Sequence, residues 1–357
     1  MSQYYDVIGV SSREEHILEK VGEKEEIRTI PVEMTRKITP VQDLKAVYQL
    51  YKVFRKEKPD IVHSHTPKAG TLSMIAARFA GVPHRLHTIA GLPLLEATGA
   101  KRLLLDAVEK LTYGCATMIY PNSFGLNDII LQNKYTSPKK LKVIANGSSN
   151  GIDTSHFDPS KYSLDDNTKL REELKIDQED FVYVFVGRFV KDKGINELIT
   201  SFKKINDIQP NSKLLLVGTY ERELDPLLPE TESEIDNNPN IISVGWQNDV
   251  RPFFAIADAL TFPSYREGFP NVVMQAGAMG LPSIVTDING CNEIITEGIN
   301  GTIIPVKSSE ALYNAMEKFI TDKEYCTKLS LKARDMICQK YERKFVWNEI
   351  LEEYRKL

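Results

Sequence analysis

Cysteine is scarce in this 357-residue chain: Cys115, Cys291, Cys326 and Cys338 are scattered, with no C-x-x-C pair. A disulfide scaffold and a zinc ribbon are excluded, and the thiols read as reduced and packed, as in a cytosolic protein. No signal peptide and no long apolar run is recognisable, so no membrane-spanning helix is expected. There is no G-x-S-x-G, no P-loop and no G-x-G-x-x-G after the first strand-like segment, which removes the best-marked nucleophile and nucleotide motifs. Repeats of solenoid length and low-complexity tracts are missing too. A strong charge of one sign is also lacking: the formal net charge is −4, and no nucleic-acid partner is expected. The charge is uneven, however. Residues 1–158 hold 21 Lys and Arg against 17 Asp and Glu, whereas the remainder holds 24 against 32. Either this imbalance carries no function, or the mildly basic first half meets an anionic membrane face or a lipid diphosphate.

What is present is the composition of a globular enzyme, 42% apolar and 26% charged, at a length that suggests two domains. Residues 4–10 read as a strand, 14–26 as a helix and 27–32 as a strand. Val41, Leu44, Val47, Tyr48, Tyr51 and Phe54 then recur at helical spacing. Strands follow at 60–65, 85–89, 115–121 and 141–144, with helices at 71–80, 101–111 and 122–131. The helix at 101–111 combines a cationic entry with Leu103, Leu104, Leu105 and Val108. It either packs on its own domain or lies on a membrane surface. Turn formers from Asn146 to Gly151 mark a boundary. The rhythm restarts with strands at 181–186, 213–217, 241–244 and 259–262, and residues 341–357 form a closing amphipathic helix. This alternation predicts an α/β protein with parallel, doubly wound sheets. The expected domains are 1–155 and 156–340, followed by the helix 341–357.

Two loops carry candidate chemistry. The stretch DALTFPSYREGFPNVVMQAGAMGLPSIVT at 258–286 reads as strand, loop, helix, strand. It puts Glu267 and Gly268 at a strand's C-terminal end beside a helix N-terminus. Open α/β sheets bind ligands there, and free N–H groups favour an anion. Phe269, Pro270 and Asn271 lie where backbone groups approach a diphosphate, with N–H donors from Phe269 and Asn271 only. The second loop, bounded by Gly187 and Gly194, offers Arg188 as a rigid donor fork and Lys193 as a point charge. Alone, these two cations fit an ordinary exposed helix entry equally well.

Other candidates are single residues. His87 ends the strand-like RLHTI and is either a satisfied structural histidine or a ligand contact. His63 and His65 share one strand face, but no third ligand lies nearby in sequence, so no metal site is expected. Lys68 opens a helix within T-P-K-A-G and is a candidate for holding an acceptor's diphosphate; His65 is a second candidate for binding the acceptor. Trp246 follows a strand and either frames a nucleobase or packs between domains.

Taken together, these segments resemble the retaining glycosyltransferases of family 4. The pattern P-S-x-x-E-G-F-x-x-x-x-x-E-A-x-A-x-G-x-P is matched at Pro263, Ser264, Glu267, Gly268, Phe269, Ala276, Ala278, Gly280 and Pro282, but its second acid is Gln275 here. G-R-x-x-x-x-K-G is matched at Gly187, Arg188, Lys193 and Gly194, H-x-x-x-G at His87 and Gly91, and N-G-[IV]-D from Asn150 to Asp153. The resemblance spans nearly the whole chain. It implies the GT-B fold, two facing doubly wound, Rossmann-like domains with a cleft between them, the first on the acceptor side and the second binding the nucleotide-sugar. It also implies roles: Arg188 and Lys193 neutralise the leaving diphosphate, Glu267 contacts the donor sugar's hydroxyls, and His87 steadies the oxocarbenium-like centre. Gln275 stands where the family's second acid holds the ribose. Its amide can still hydrogen-bond a diol but loses the charge-assisted bonds, so a weaker or altered grip is expected. The family usually opens with an earlier strand, loop and helix, and residues 4–10 resemble its second strand. Either residues upstream are expected or the N-terminus is naturally short.

The resemblance implies transfer of a sugar from a nucleotide-sugar to an acceptor hydroxyl with retention, without cofactor or metal. H-S-H-T-P-K-A-G, H-T-x-A-G-L-P and N-G-S-S-N-G-I-D are most similar to a bacterial subgroup building capsule, O-antigen or protein-linked glycans. That subgroup implies UDP as the nucleotide, an N-acetylhexosamine or related sugar, an undecaprenyl-diphosphate-linked acceptor, and a peripheral place on the inner face of the cytoplasmic membrane. Two rivals stand beside this reading. One is a UDP-sugar epimerase on the same architecture. The other is a non-catalytic nucleotide-sugar-binding module, motivated by Gln275 and the short opening.

Overall fold

The computed structural model describes residues 1–357 except 14–16, 36–38, 93, 95–96 and 224. The chain divides into one unit of Met1–Ala145 with Asn348–Leu357, and a second of Asn146–Trp347. The first contains β1 (Ile8–Ser11), α1 (Ile17–Glu25), β2 (Arg28–Pro31), α2 (Pro40–Glu57), β3 (Ile61–Ser64), α3 (Pro67–Ala80), β4 (His84–Ile89), α4 (Gly99–Cys115), β5 (Met118–Pro121) and α5 (Phe124–Gln132). β1 pairs with β2, and β3, β4 and β5 form a three-stranded sheet; every pairing is parallel. Leu50 and Phe54 of α2, Val62 of β3, Met74 of α3 and Ile119 of β5 share one buried core. Helix ends are set locally. Lys58 turns left-handed before Pro59 to stop α2, and Gly81 does the same for α3.

The second unit contains α6 (Leu164–Glu173), β6 (Phe181–Val186), α7 (Ile195–Ile208), β7 (Ser212–Val217), α8 (Pro229–Asn237), β8 (Ile241–Ser243), α9 (Arg251–Ala255), β9 (Ala259–Phe262), α10 (Asn271–Ala278), β10 (Ser283–Thr286), α11 (Cys291–Ile294), β11 (Gly301–Ile304), α12 (Ser309–Thr321) and α13 (Lys323–Tyr341). α14 (Arg343–Arg355) closes the chain, and its residues from Asn348 onward belong to the first unit. The sheet order is β11-β10-β9-β6-β7-β8, all parallel. FVYVFV makes β6 a central strand because it is apolar throughout and covered on both faces. Ile195, Leu198, Ile199, Phe202 and Ile205 give α7 one buried stripe. Strand order reverses between β6 and β9, so the loops after these two strands flank the crevice where doubly wound sheets bind ligands.

Three sequence expectations are revised. Residues 1–5 form a turn, with the Tyr4 and Tyr5 N–H groups donating to Met1 O, so the first strand begins only at Ile8. The strand at 141–144 reduces to a single bridge between Leu141 and Ile119, and Ala145, just beyond it, is left-handed (φ 52°). The closing helix begins at Arg343, two residues later than expected, because Glu342 is extended (φ −55°, ψ 134°). The cause is long-range: Ile152 N donates to Tyr341 O and Arg343 N donates to Ile152 O, each at 2.8 Å. The expected helix start at 14–16 and parts of the loop at 90–99 lie outside the described residues.

Candidate active site

In the second unit, the loops after β6 and β9 are knitted together. Gly194 has φ 72°, and a Cβ there would lie 2.8 Å from the Pro263 carbonyl carbon and closer still to its oxygen. Only glycine lets these loops approach this closely. Tyr265 N donates to Asp192 O at 2.8 Å, Arg266 pairs with Asp192 at 2.9 Å, and the Tyr265 hydroxyl donates to Glu197 at 2.6 Å.

This scaffold brings Lys193 and Glu267 into a direct ion pair in which each side chain is only 16% exposed. The Ser264 hydroxyl donates to the same Glu267 Oε1 at 3.0 Å. The Asn289 amide donates to the Glu267 and Gly268 carbonyls. Lys193 has three N–H donors, so holding Glu267 leaves others for an anion. Arg188 sits on the same loop, half-exposed, bonded to Glu221 at 2.5 Å. A half-exposed pair of this kind holds weakly and can be exchanged for a ligand anion. Gly187 opens the loop, its N–H bonded to Val217 O at 2.9 Å.

Pro270 is the residue before α10 and Asn271 its first, so the N–H groups of that first turn point out of the helix beside Glu267 and Gly268. Phe269 contributes backbone only; its ring is buried and meets Tyr341 edge-on at 5.3 Å. Gln275, one turn further, is half-buried. Trp246 follows β8 and is 72% exposed, its indole N–H 3.4 Å from Asn248 Oδ1.

The first unit holds the other candidates. His87 is buried, with Nδ1 2.8 Å from the Ser64 hydroxyl. Burial, with His65 nearby, lowers its pKa to about 4, so the ring is neutral near pH 7. His63 is bound by structure: Nδ1 lies 2.5 Å from the Tyr354 hydroxyl of α14 and Nε2 2.8 Å from Thr88 Oγ1. His65 is exposed, its ring 4.2 Å from that of His63. Among the described residues no group of three or more His, Cys, Asp or Glu is placed to hold a metal. Lys68 is tethered to the start of α2, with Nζ 2.7 Å from Asp43 and 3.0 Å from Thr35 Oγ1. Leu103 and Leu104 of α4 point outward, 71% and 51% exposed, whereas Leu105 and Val108 are half-buried.

Sequence reasoning missed Ser64, Glu221 and Asn289. Asn289 follows β10 as Glu267 follows β9, so its strand-end position was the available signal. Ser64 lies inside H-S-H-T-P-K-A-G, between the two histidines that drew the reading, and Glu221 lies outside any motif.

The comparisons fit this geometry. Residues 166–336 match the family described as glycosyl transferases group 1, and residues 1–123 match glycosyl transferase 4-like. The capsular polysaccharide biosynthesis glycosyltransferase CapM of Staphylococcus aureus is 35% identical over 332 residues, 90% of this chain and 83% of that one. The chain belongs to glycosyltransferase family 4. It is therefore an enzyme of the GT-B class. The UDP-Gal:alpha-D-GlcNAc-diphosphoundecaprenol alpha-1,3-galactosyltransferase of Escherichia coli is 30% identical, covering 85% of this chain and 77% of its own. Among solved structures, HepE of Anabaena in complex with UDP superposes with a TM-score of 0.82 at 18% identity, covering 99% of this chain and 100% of that one. At that identity the likeness shows the fold.

Proposed function

We propose that this glycosyltransferase moves a sugar, an N-acetylhexosamine or a relative of one, from a UDP-sugar to a hydroxyl of an undecaprenyl-diphosphate-linked glycan in bacterial surface polysaccharide synthesis. The observation that carries the reading is the meeting of Arg188, Lys193, Glu267 and the start of α10 on two adjoining loops at the sheet's switch point. Two cations and a helix N-terminus suit a diphosphate, and a carboxylate beside them suits sugar hydroxyls. The named substrates of the E. coli relative and of the Campylobacter jejuni N-acetylgalactosaminyltransferase, 26% identical, support the donor and acceptor classes.

In this reading Arg188 and Lys193 take up the charge that develops on the departing diphosphate. Glu267 orients the donor sugar and Gln275 meets the ribose diol. Phe269, Pro270 and Asn271 present backbone to the diphosphate, and Trp246 borders the base. Neutral His87 contacts the donor sugar near its reacting carbon. Lys68 is assigned to the acceptor's diphosphate and His65 to the acceptor. Transfer proceeds with retention and without a metal, the leaving diphosphate accepting the acceptor's proton. Leu103, Leu104 and Leu111 are exposed on α4, which also carries Lys101 and Lys110, a surface suited to the anionic inner leaflet. No helix among the described residues is long and apolar enough to cross a membrane.

The test is incubation with UDP-linked glucose, galactose, N-acetylglucosamine and N-acetylgalactosamine, each with undecaprenyl-diphosphate-N-acetylglucosamine and EDTA. One donor should extend the lipid by one residue of unchanged anomeric configuration. UDP binding without product from any donor would point to a binding module, and a new UDP-sugar formed without acceptor to an epimerase.

A further inference from the structure

α2 buries one face against its own unit, with Ala46, Leu50 and Phe54 at four-residue spacing. A helix that packs on a core with that face ordinarily turns polar side chains outward, and α2 does not. Val41, Leu44 and Tyr48, at i, i+3 and i+7, are 81%, 72% and 57% exposed and form one outward stripe. Single exposed apolar side chains are ordinary, but an aligned row marks a contact surface. The charges of α2 are sorted in the same way. Lys45, Lys52, Arg55 and Lys56 are exposed. The helix's two acids are half-buried and tied to other elements, Asp43 to Lys68 and Glu57 to Arg28, each at 2.7 Å. Lys56 also lies 4.0 Å from Glu57. Lys45, Lys52 and Arg55 have no acidic partner among the described residues. The exposed residues of α2 are thus apolar mainly in its first half, basic mainly in its second, and none is acidic.

We propose that this face of α2 docks on an anionic lipid bilayer. Val41, Leu44 and Tyr48 enter the boundary of the acyl chains, and Lys45, Lys52, Arg55 and Lys56 meet the lipid phosphates. Charge decides the occupant. A second copy of the chain offers these four cations no acid, because the face carries none, and nucleic acid gains nothing from three apolar side chains. The place of the stripe points the same way, a step that rests on the transferase reading above. The Asp43–Lys68 pair joins the apolar end of α2 to the lysine assigned to the acceptor's diphosphate. A polyprenyl diphosphate keeps its chain in the bilayer and its phosphates at the surface. A stripe that enters the bilayer beside Lys68 sets that lysine at the depth of those phosphates.

The experiment measures cosedimentation of the full chain with vesicles of phosphatidylcholine, alone or mixed with phosphatidylglycerol. Wild type is compared with Val41→Gln/Leu44→Gln and Lys52→Gln/Arg55→Gln on α2, and with Leu103→Gln/Leu104→Gln on α4. Wild type should bind the mixed vesicles in preference to the neutral ones and be released as salt rises. Each α2 pair should weaken that binding by about tenfold or more. UDP affinity and the thermal midpoint should not change, because the replaced side chains are exposed. Turnover of undecaprenyl-diphosphate-N-acetylglucosamine embedded in the mixed vesicles should fall in step with binding. Turnover of a short-chain, water-soluble analogue should stay at the wild-type rate, a split that a structural defect would not produce. Wild-type vesicle binding in both α2 variants, loss in the α4 variant alone, or a wild type indifferent to anionic lipid would each overturn the proposal. So would a wild type that self-associates and becomes monomeric in V41Q/L44Q, which would assign the face to a second copy. Vesicle binding that depends on α2, with no sugar transferred from any of the four UDP-sugars, would uphold the docking surface and contradict the transferase reading instead.

Discussion

Replacing Glu267 with alanine should lower turnover by about 10²–10³-fold, and Lys193→Ala should lower it as far, the scale seen when one preorganised transition-state contact is removed. The two losses should not add, because the side chains act as one device. Each is 16% exposed and bonded directly to the other, so removing either leaves a largely buried charge without its partner. Ser264 and Asn289 fix the acid from the loop side, and Gly194 fixes the lysine's loop against Pro263. The variants should differ in binding. Lys193→Ala loses UDP affinity, whereas Glu267→Gln, which keeps the shape and a neutral acceptor, retains it. A double-mutant cycle on kcat and UDP affinity checks both statements. Additive losses, or full turnover in E267A, would show that the pair is only structural.

Gly70→Ala is the second large effect. Alanine is the better helix former by roughly 1 kcal/mol, so propensity alone predicts a gain. The structure reverses that sign. A Cβ on Gly70 would lie 2.8 Å from Nδ1 of His87 and closer still to Cε1, and His87 is fully enclosed and bonded to Ser64. The ring must move, at a cost of about 1–3 kcal/mol for overpacking. Turnover should fall by about tenfold or more, since His87 leaves the position assigned to the sugar contact. Thermal unfolding and initial rates read the two effects. Combining Gly70→Ala with His87→Ala should recover stability relative to G70A alone, because the colliding ring is gone. A G70A protein as stable and active as wild type would mean that His87 is not held where the structure places it.

The parts legible in the sequence were those written locally. Phe181 to Val186 is apolar throughout and Pro263 closes Ala259 to Phe262, so β6 and β9 matched residue for residue. The loops holding Lys193 and Glu267 follow those strands, which is why the sequence pointed to both. What stayed hidden depends on distant partners. Glu342 delays the start of the closing helix because Ile152, far away in sequence, pairs with it. Phe269 lies inside a ligand-loop motif, yet its ring turns inward to Tyr341. Asp43 holds Lys68 from another helix.

The most direct measurement is calorimetric titration of UDP, GDP and ADP, with EDTA present, into wild type and Arg188→Ala. Wild type should bind UDP in preference to GDP and ADP without metal, and R188A should bind UDP at least about tenfold more weakly, a loss of about 1.4 kcal/mol, because Arg188 exchanges its half-exposed bond to Glu221 for the diphosphate. Equal UDP affinity in the two proteins, or no binding of any nucleotide by wild type, would contradict the assignment of the switch-point loops as the nucleotide site.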